Sequence, residues 1–149
     1  MKKPRVIAYT DGGCSPNPGK GGWGAYLILD ASKALMIKGS DSLTTNNKME
    51  ILASIKALEI LEEDSEVIIY TDSNYLKLGI TQWINGWQKN GWRNSKREPV
   101  KNDDLWKKLL TLTQKHKVTW EWVKAHDDNI GNNIADDLAS LAKQQNQKI

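Results

Sequence analysis

A single cysteine, Cys14, occurs in the 149 residues, so no disulfide can form within the chain. That excludes a disulfide-stapled secreted scaffold and fits a reducing compartment, with the cytoplasm as the expected location. Long apolar runs are also missing: no segment approaches the roughly 20 residues of a helical membrane span, and no contact with a membrane is expected. Met1-Lys2-Lys3-Pro4 carries charge, but the apolar stretch of a signal peptide does not follow it. There is no internal repeat and no low-complexity tract. The whole of 1–149 is therefore expected to form one domain, with a frayed tail at about 144–149. No strongly apolar surface stripe stands out, which makes a monomer the expected state.

What the chain does contain is ordinary for a globular protein, with 39% apolar and 26% charged residues. Its net charge of +3 is weak as a sign of polyanion binding, but the charge is unevenly distributed.

Val6-Ile-Ala-Tyr-Thr-Asp11 predicts a buried strand running into a turn at Gly12–Gly19, a stretch too rich in Gly and Pro for a regular element. Residues 22–31 and 34–41 predict two strands joined as a hairpin through Ala31-Ser32-Lys33. Thr44-Thr45-Asn46-Asn47 supplies capping residues for a helix to about Glu63, with Ile51, Ile55 and Leu58 on its inner face. Val67–Asp72, apolar almost throughout, predicts an interior strand.

Residues 74–88 read as helical with a break near Gly79, and a second helix is expected at about 102–116 on Leu105, Leu109 and Leu112. Val118–Val123 alternates as a fifth strand. Ile134, Leu138 and Leu141 mark a last helix after a loop at 125–131. Three strands in a row, followed by helices alternating with two more, predict an α/β fold. Its mixed five-stranded sheet would have three antiparallel strands and then two parallel ones, flanked by helices.

Four acids fall at element boundaries: Asp11 and Asp72 at strand ends, Glu50 in the first turn of the first helix, and Asp136 opening the last. Sites in open α/β sheets form at the carboxyl ends of strands, so Asp11 and Asp72 would lie side by side if their strands are parallel neighbours. Gathered carboxylates need a cation, and an open set of hard oxygen ligands favours Mg²⁺. Two such ions would stabilise both the attacking and the leaving oxygen of an in-line phosphoryl displacement. Each acid also has a structural alternative. Asn47-Lys-Met-Glu50 and Asn133-Ile-Ala-Asp136 both fit capping boxes, and Asp11 and Asp72 could serve turns or N-caps.

Trp83, Trp87 and Trp92 lie among Lys89, Arg93, Lys96, Arg97 and Lys101, opposed locally only by Glu98. Cations there would meet phosphates while aromatic faces pack on sugars or bases. The structural alternative puts two of these three tryptophans on the underside of a solvated loop. Trp23, Trp106 and Trp120 are expected in the core, and Trp122 on its other half.

From about Val6 to Leu141 the ordered motifs resemble the bacterial type 1 ribonuclease H family. They are Asp11-Gly12-Gly13-Cys14, Asn17-Pro18-Gly19, Gly21-Gly22-Trp23-Gly24, Thr44 to Glu50, Thr71-Asp72-Ser73, Trp122 to His126, and Asn132 to Asp136. The resemblance implies a ribonuclease H-like fold and an endonuclease that hydrolyses the RNA strand of RNA–DNA hybrids. Divalent-metal-assisted attack of water would leave 5′-phosphate and 3′-hydroxyl ends.

The same resemblance makes Asp11, Glu50, Asp72 and Asp136 metal-binding catalytic acids for one or two Mg²⁺ ions, with Mn²⁺ as a substitute. It assigns His126 to catalysis or product release, a role that suits an imidazole titrating near neutrality. Cys14, Asn17, Asn46, Asn47 and Asn74 would read 2′-hydroxyls, and Thr45 would line a phosphate pocket for the DNA strand. The segment at about 80–101 would be a basic handle gripping the hybrid through Trp83, Trp87, Lys89, Trp92 and Arg93. The pattern departs at Ala125, where Gly is common, and at Asp127-Asp128, two extra acids that would raise local cation affinity or hinder phosphate.

Two competitors share parts of this pattern. A resolvase or integrase core would use the same fold, and a non-catalytic hybrid-binding module would need a broken acid set.

Overall fold

The computed structural model describes residues 3–124 and 129–145. Five strands form one sheet: β1 (Arg5–Cys14), β2 (Gly19–Asp30), β3 (Lys33–Thr44), β4 (Glu66–Thr71) and β5 (Lys117–Trp122), in the order β3-β2-β1-β4-β5. β1, β2 and β3 are antiparallel, and β4 runs parallel to β1 and to β5. This is the expected mixed sheet, and the expected hairpin turns at Ala31-Ser32.

The helices are α1 (Asn46–Glu59), α2 (Asn74–Leu78), α3 (Ile84–Lys89), α4 (Asp103–Lys115) and α5 (Ile130–Gln145). Among the described residues, no helix is long and apolar enough to cross a membrane.

Strand alternation fixes the core. Val6, Ala8 and Thr10 of β1, with Val67 and Ile69 of β4, face Ile51, Ile55 and Leu58 of α1, and Trp106 and Leu109 of α4 close the layer. Each fully buried Ile or Leu contributes roughly 1.5–3 kcal/mol through apolar area removed from water. The expected stripe of α4 is modified, because Trp106 is wholly buried beside Leu109 while Leu105 and Leu112 are half-buried.

The break foreseen near Gly79 is a π turn over Gly79–Trp83 between α2 and α3. Any Cβ at Gly79 would run into the indole of Trp106, so the wide turn and the bare residue go together.

One strand end, one helix end and one buried face differ most from the sequence pattern. β1 continues through Gly12, Gly13 and Cys14, which pair with Trp23, Gly22 and Gly21; two glycine-rich stretches fit a sheet when they face each other. Only Ser15–Pro18 remains as the turn. α1 stops at Glu59 rather than about Glu63, because Glu62-Glu63-Asp64 is exposed and has no apolar face to dock. On α5, Leu141 is 51% exposed and the buried face is Ala135, Ala139 and Ala142. A small-residue helix face was required, because α5 lies against Gly22 and Gly24 of β2, where any Cβ would strike its backbone. Residues 144–145 still belong to α5, and the rest of the tail expected to fray lies outside the described residues.

Candidate active site

The parallel ladder between β1 and β4 ends at the pair Tyr9–Tyr70, whose rings stack 4.9 Å apart. Asp11 and Asp72 each follow two residues later, so alternation puts both on the Tyr9–Tyr70 face of the sheet, side by side. Asp11 is therefore not at the end of β1, as its pattern predicted, but just past the end of the parallel pairing.

Glu50 reaches the same point from α1, which passes close over β1 because Gly12 has no side chain to meet the Met49 carbonyl. Carboxylate oxygens of Asp11, Glu50 and Asp72 all lie within 4.8 Å of one another. Asp136, in the second turn of α5, stands outside that triad and hydrogen-bonds to Asp11. All four line one open cleft with Asn46, Asn47 and Asn74.

The capping alternatives do not hold for three of the acids. Thr45 is the N-cap of α1 and its hydroxyl accepts from the Lys48 N–H, so Glu50 lies beyond the capping box. Asn129 caps α5 by accepting from the Asn132 N–H, leaving Asp136 inside the helix. Ser73, not Asp72, caps α2.

The electrostatics of the cluster are those of like charges held together out of water. Burial, the hydrogen bond with Asp136 and the charges of Asp72 and Asp136 push Asp11 up to about 8, against the lowering effect of the Gly12 N–H. Burial, then the charges of Asp11 and Asp72, hold Glu50 well above the usual carboxylate range. Glu50 Oε1 is buried without a hydrogen-bond partner. An unpaired, desolvated carboxylate oxygen is costly. Three converging hard oxygen donors, one of them orphaned, fit a divalent cation.

The RNase H family profile matches residues 3–144. The chain belongs to the RNase H family. A protein named Ribonuclease H from Chromohalobacter salexigens is 49% identical over 97% of this chain and 87% of its own length. Another, from Francisella tularensis subsp. novicida, is 52% identical over 95% and 92%. Among solved RNase H structures, LC9-RNase H1, a type 1 RNase H with the type 2 active-site motif, superposes with a TM-score of 0.85. It is 26% identical, over 98% of this chain and 75% of that one. LC11-RNase H1, in complex with an RNA/DNA hybrid, shares the fold at a TM-score of 0.74 and 23% identity, over 96% and 99% of the two chains.

In this RNase H family member, the side chains expected to touch substrate fall into two groups. Cys14, Asn17 and Asn46 are knitted together at the cleft: Asn46 Oδ1 accepts from the Cys14 N–H at 2.7 Å, and Asn17 Oδ1 accepts from the Asn46 N–H at 3.2 Å. Thr45 caps α1 beside them, and the exposed amides of Asn47 and Asn74 line the acid cleft directly.

Trp83, Trp87, Lys89, Trp92 and Arg93 form the second group on the basic segment. Trp87 is packed among Trp83, Trp92 and Trp106, and Lys107 Nζ lies 5.5 Å from the centre of the Trp92 ring. Trp87 and Trp92 are partly buried against the main core, the arrangement that the structural alternative has for two of the three tryptophans. Arg93 donates to the Arg97 carbonyl and so closes its own loop, while Lys89 is exposed. Trp23 and Trp106 are buried, whereas Trp120 and Trp122 are half-buried and stacked.

His126, with Asp127 and Asp128, lies outside the described residues. Gly12 adds a functional position that its turn-like sequence hides: its N–H works on both Asp11 and Glu50, and the available signal is a glycine directly after an acid.

Proposed function

We propose that this chain cuts the RNA strand of RNA–DNA hybrids with Asp11, Glu50, Asp72 and Asp136 as its catalytic, metal-holding acids, and with Mg²⁺, or Mn²⁺ in its place, as the cation. The observation that carries this is the convergence of three carboxylates around an orphaned Glu50 oxygen at the mouth of an amide-lined cleft. The name its relatives share and the hybrid bound by LC11-RNase H1 support the substrate.

A divalent cation, when bound, supplies a positive centre that offsets the clustered charge and polarises the phosphate and the attacking water. The protein's own groups do the rest. Asp11 and Asp72 are fixed by strand register, and the Gly12 N–H orients Asp11 and Glu50. The hydrogen bond between Asp11 and Asp136 keeps a proton within the cluster. Water oxygen attacks phosphorus, the bond to the 3′-oxygen breaks, and that oxygen takes up a proton. His126 is assigned to this transfer or to product release.

The amides of Asn47 and Asn74 both donate and accept, which is what a 2′-hydroxyl offers and deoxyribose lacks. Cys14, Asn17 and Asn46 present a rigid edge to the same strand, and Thr45 faces the DNA strand. Lys89 and the basic segment, with Trp83 as the ring of the three outside the main core cluster, grip the duplex. One chain carries every member of the cluster, so a monomer is competent, and a free Cys14 suits the cytoplasm.

The deciding experiment is cleavage of a labelled RNA strand in a hybrid with Mg²⁺, run beside double-stranded DNA and double-stranded RNA. The expected result is Mg²⁺-dependent cutting of the hybrid alone, falling by roughly 1,000-fold or more in Asp72→Asn. Undiminished cutting by that variant would mean the acids are misassigned. Hybrid binding without any cutting, in Mg²⁺ or Mn²⁺, would favour a binding module.

A further inference from the structure

The acid cluster is flanked on both sides by lysines. On one side a small cleft runs from Asp11 and Asp136 past Ser140 to Lys143, on the exposed shoulder of α5. On the other, a polar cleft of about 360 Å³ joins Asp72 and Asn74 to Lys77 of α2 and to Lys124, just past β5. Lys143 is half-buried and the other two are exposed. No ion pair among the described residues engages any of the three, although each shares a cleft with a carboxylate.

Their order across the sheet follows from topology. The Lys143 backbone is pressed against Gly22 of β2, the acids stand at β1 and β4, and Lys124 leaves β5. With neighbouring strands about 4.8 Å apart, the path from β2 to β5 covers roughly 14 Å, with the acids in the middle.

A polyanion drawn over a nest of carboxylates needs cations on either side of it as well as within it. Ammonium groups at both ends of the cleft, in no ion pair among the described residues, supply them at the scale of neighbouring backbone phosphates rather than of a whole duplex. We propose that Lys143 on one side, and Lys77 with Lys124 on the other, bind the RNA-strand phosphates that flank the scissile one. The strand would then run across the sheet from β2 towards β5. This rests on the hybrid-cutting function proposed above and deepens it, because it fixes the direction of the bound strand and names side chains outside the acid set.

The test uses the full chain with Mg²⁺ and hybrids cut at one main bond, carrying a neutral methylphosphonate in place of one phosphate at a time. Lys143→Ala and the double variant Lys77→Ala/Lys124→Ala are compared with the unmodified chain. Each variant is expected to raise KM about fivefold per lysine removed, the upper range for an exposed charge contact, with kcat within about twofold. The slope of log affinity against log salt should fall by about 0.7–0.9 per lysine. Neutralising the phosphate that faces the missing lysine should cost that variant nothing further, while it costs the unmodified chain the full effect. Lys143→Arg should recover most of the loss.

Losses that multiply at every phosphate position would overturn the proposal, as would an unchanged KM and salt slope in variants that melt like the unmodified chain. If the unmodified chain fails to cut any hybrid, both the function and this proposal fall. If it cuts and the losses simply multiply, only this proposal falls.

Discussion

In the acid cluster, like charges are gathered at the ends of buried elements and held there by backbone register, in a place where burial and their neighbours' charges make Asp11 and Glu50 harder to ionise. In the segment from Gly79 to Lys101, mostly like charges stand apart in solvent on a base of tilted rings in contact: Trp87 packs against Trp83, Trp92 and Trp106. The first arrangement weakens the fold until a cation arrives, and the second strengthens it whether or not a ligand is present. A side chain in the first region should therefore trade stability against activity. In the second, rings and charges should separate cleanly into stability and affinity.

The sharpest break of this comparison is Asp11→Asn. A carboxyl held at about 8 in the fold and near 4 in the unfolded chain binds its proton more tightly when folded. The metal-free protein must then lose stability as pH rises from about 4 through about 8. The variant should lose cutting by roughly 1,000-fold yet be more stable than the unmodified chain at pH 8 without metal, by about 2–4 kcal/mol in urea unfolding. That advantage should vanish near pH 4 and shrink when Mg²⁺ is added. Equal stability at pH 8 would show that the cluster is not under the repulsion described.

Trp87→Ala should behave oppositely, costing about 2–3 kcal/mol on unfolding because a half-buried indole leaves a hole among three others. kcat for the folded fraction should stay nearly unchanged while KM rises, and a large fall in kcat would tie the rings to the chemistry instead. The smallest effect belongs to Lys89→Ala. Stability should move by less than about 0.5 kcal/mol, and the salt slope should drop by about 0.7–0.9. An unchanged salt slope would remove Lys89 from the grip.

Much of this was legible in the sequence because the architecture is written in short-range patterns. Apolar and alternating runs bounded by turn residues gave all five strands, the i, i+4, i+7 spacing of Ile51, Ile55 and Leu58 gave α1 its buried face, and a lone Gly79 marked the break that the π turn makes. The triad followed from three acids at the right edges of those elements. What stayed hidden depends on partners far away in the chain. Gly12–Cys14 reads as a turn until Gly21–Trp23 is set opposite, and Ala135, Ala139 and Ala142 look unremarkable beside Leu141 until a glycine-bare strand lies beneath them. The roles of Lys77, Lys124 and Lys143 were invisible for the same reason, since each belongs to a different element and only the sheet order sets them around the acids.

The glycine–alanine seam between β2 and α5 sets how accurately the site can be assembled. Asp136 rides on α5, one residue after Ala135, and the height of that helix above the sheet is set where Gly24 meets the Ala135 carbonyl and Gly22 meets that of Ala139. Backbone bearing directly on backbone works like a machined stop: no side chain flexes between the two parts, so rotamer play cannot propagate to the fourth acid. One added methyl at Gly22 or Gly24 acts as a shim that lifts Asp136 away from Asp11. Drift at this seam would therefore register first as a loss of alignment between the acids, well before the domain itself came apart.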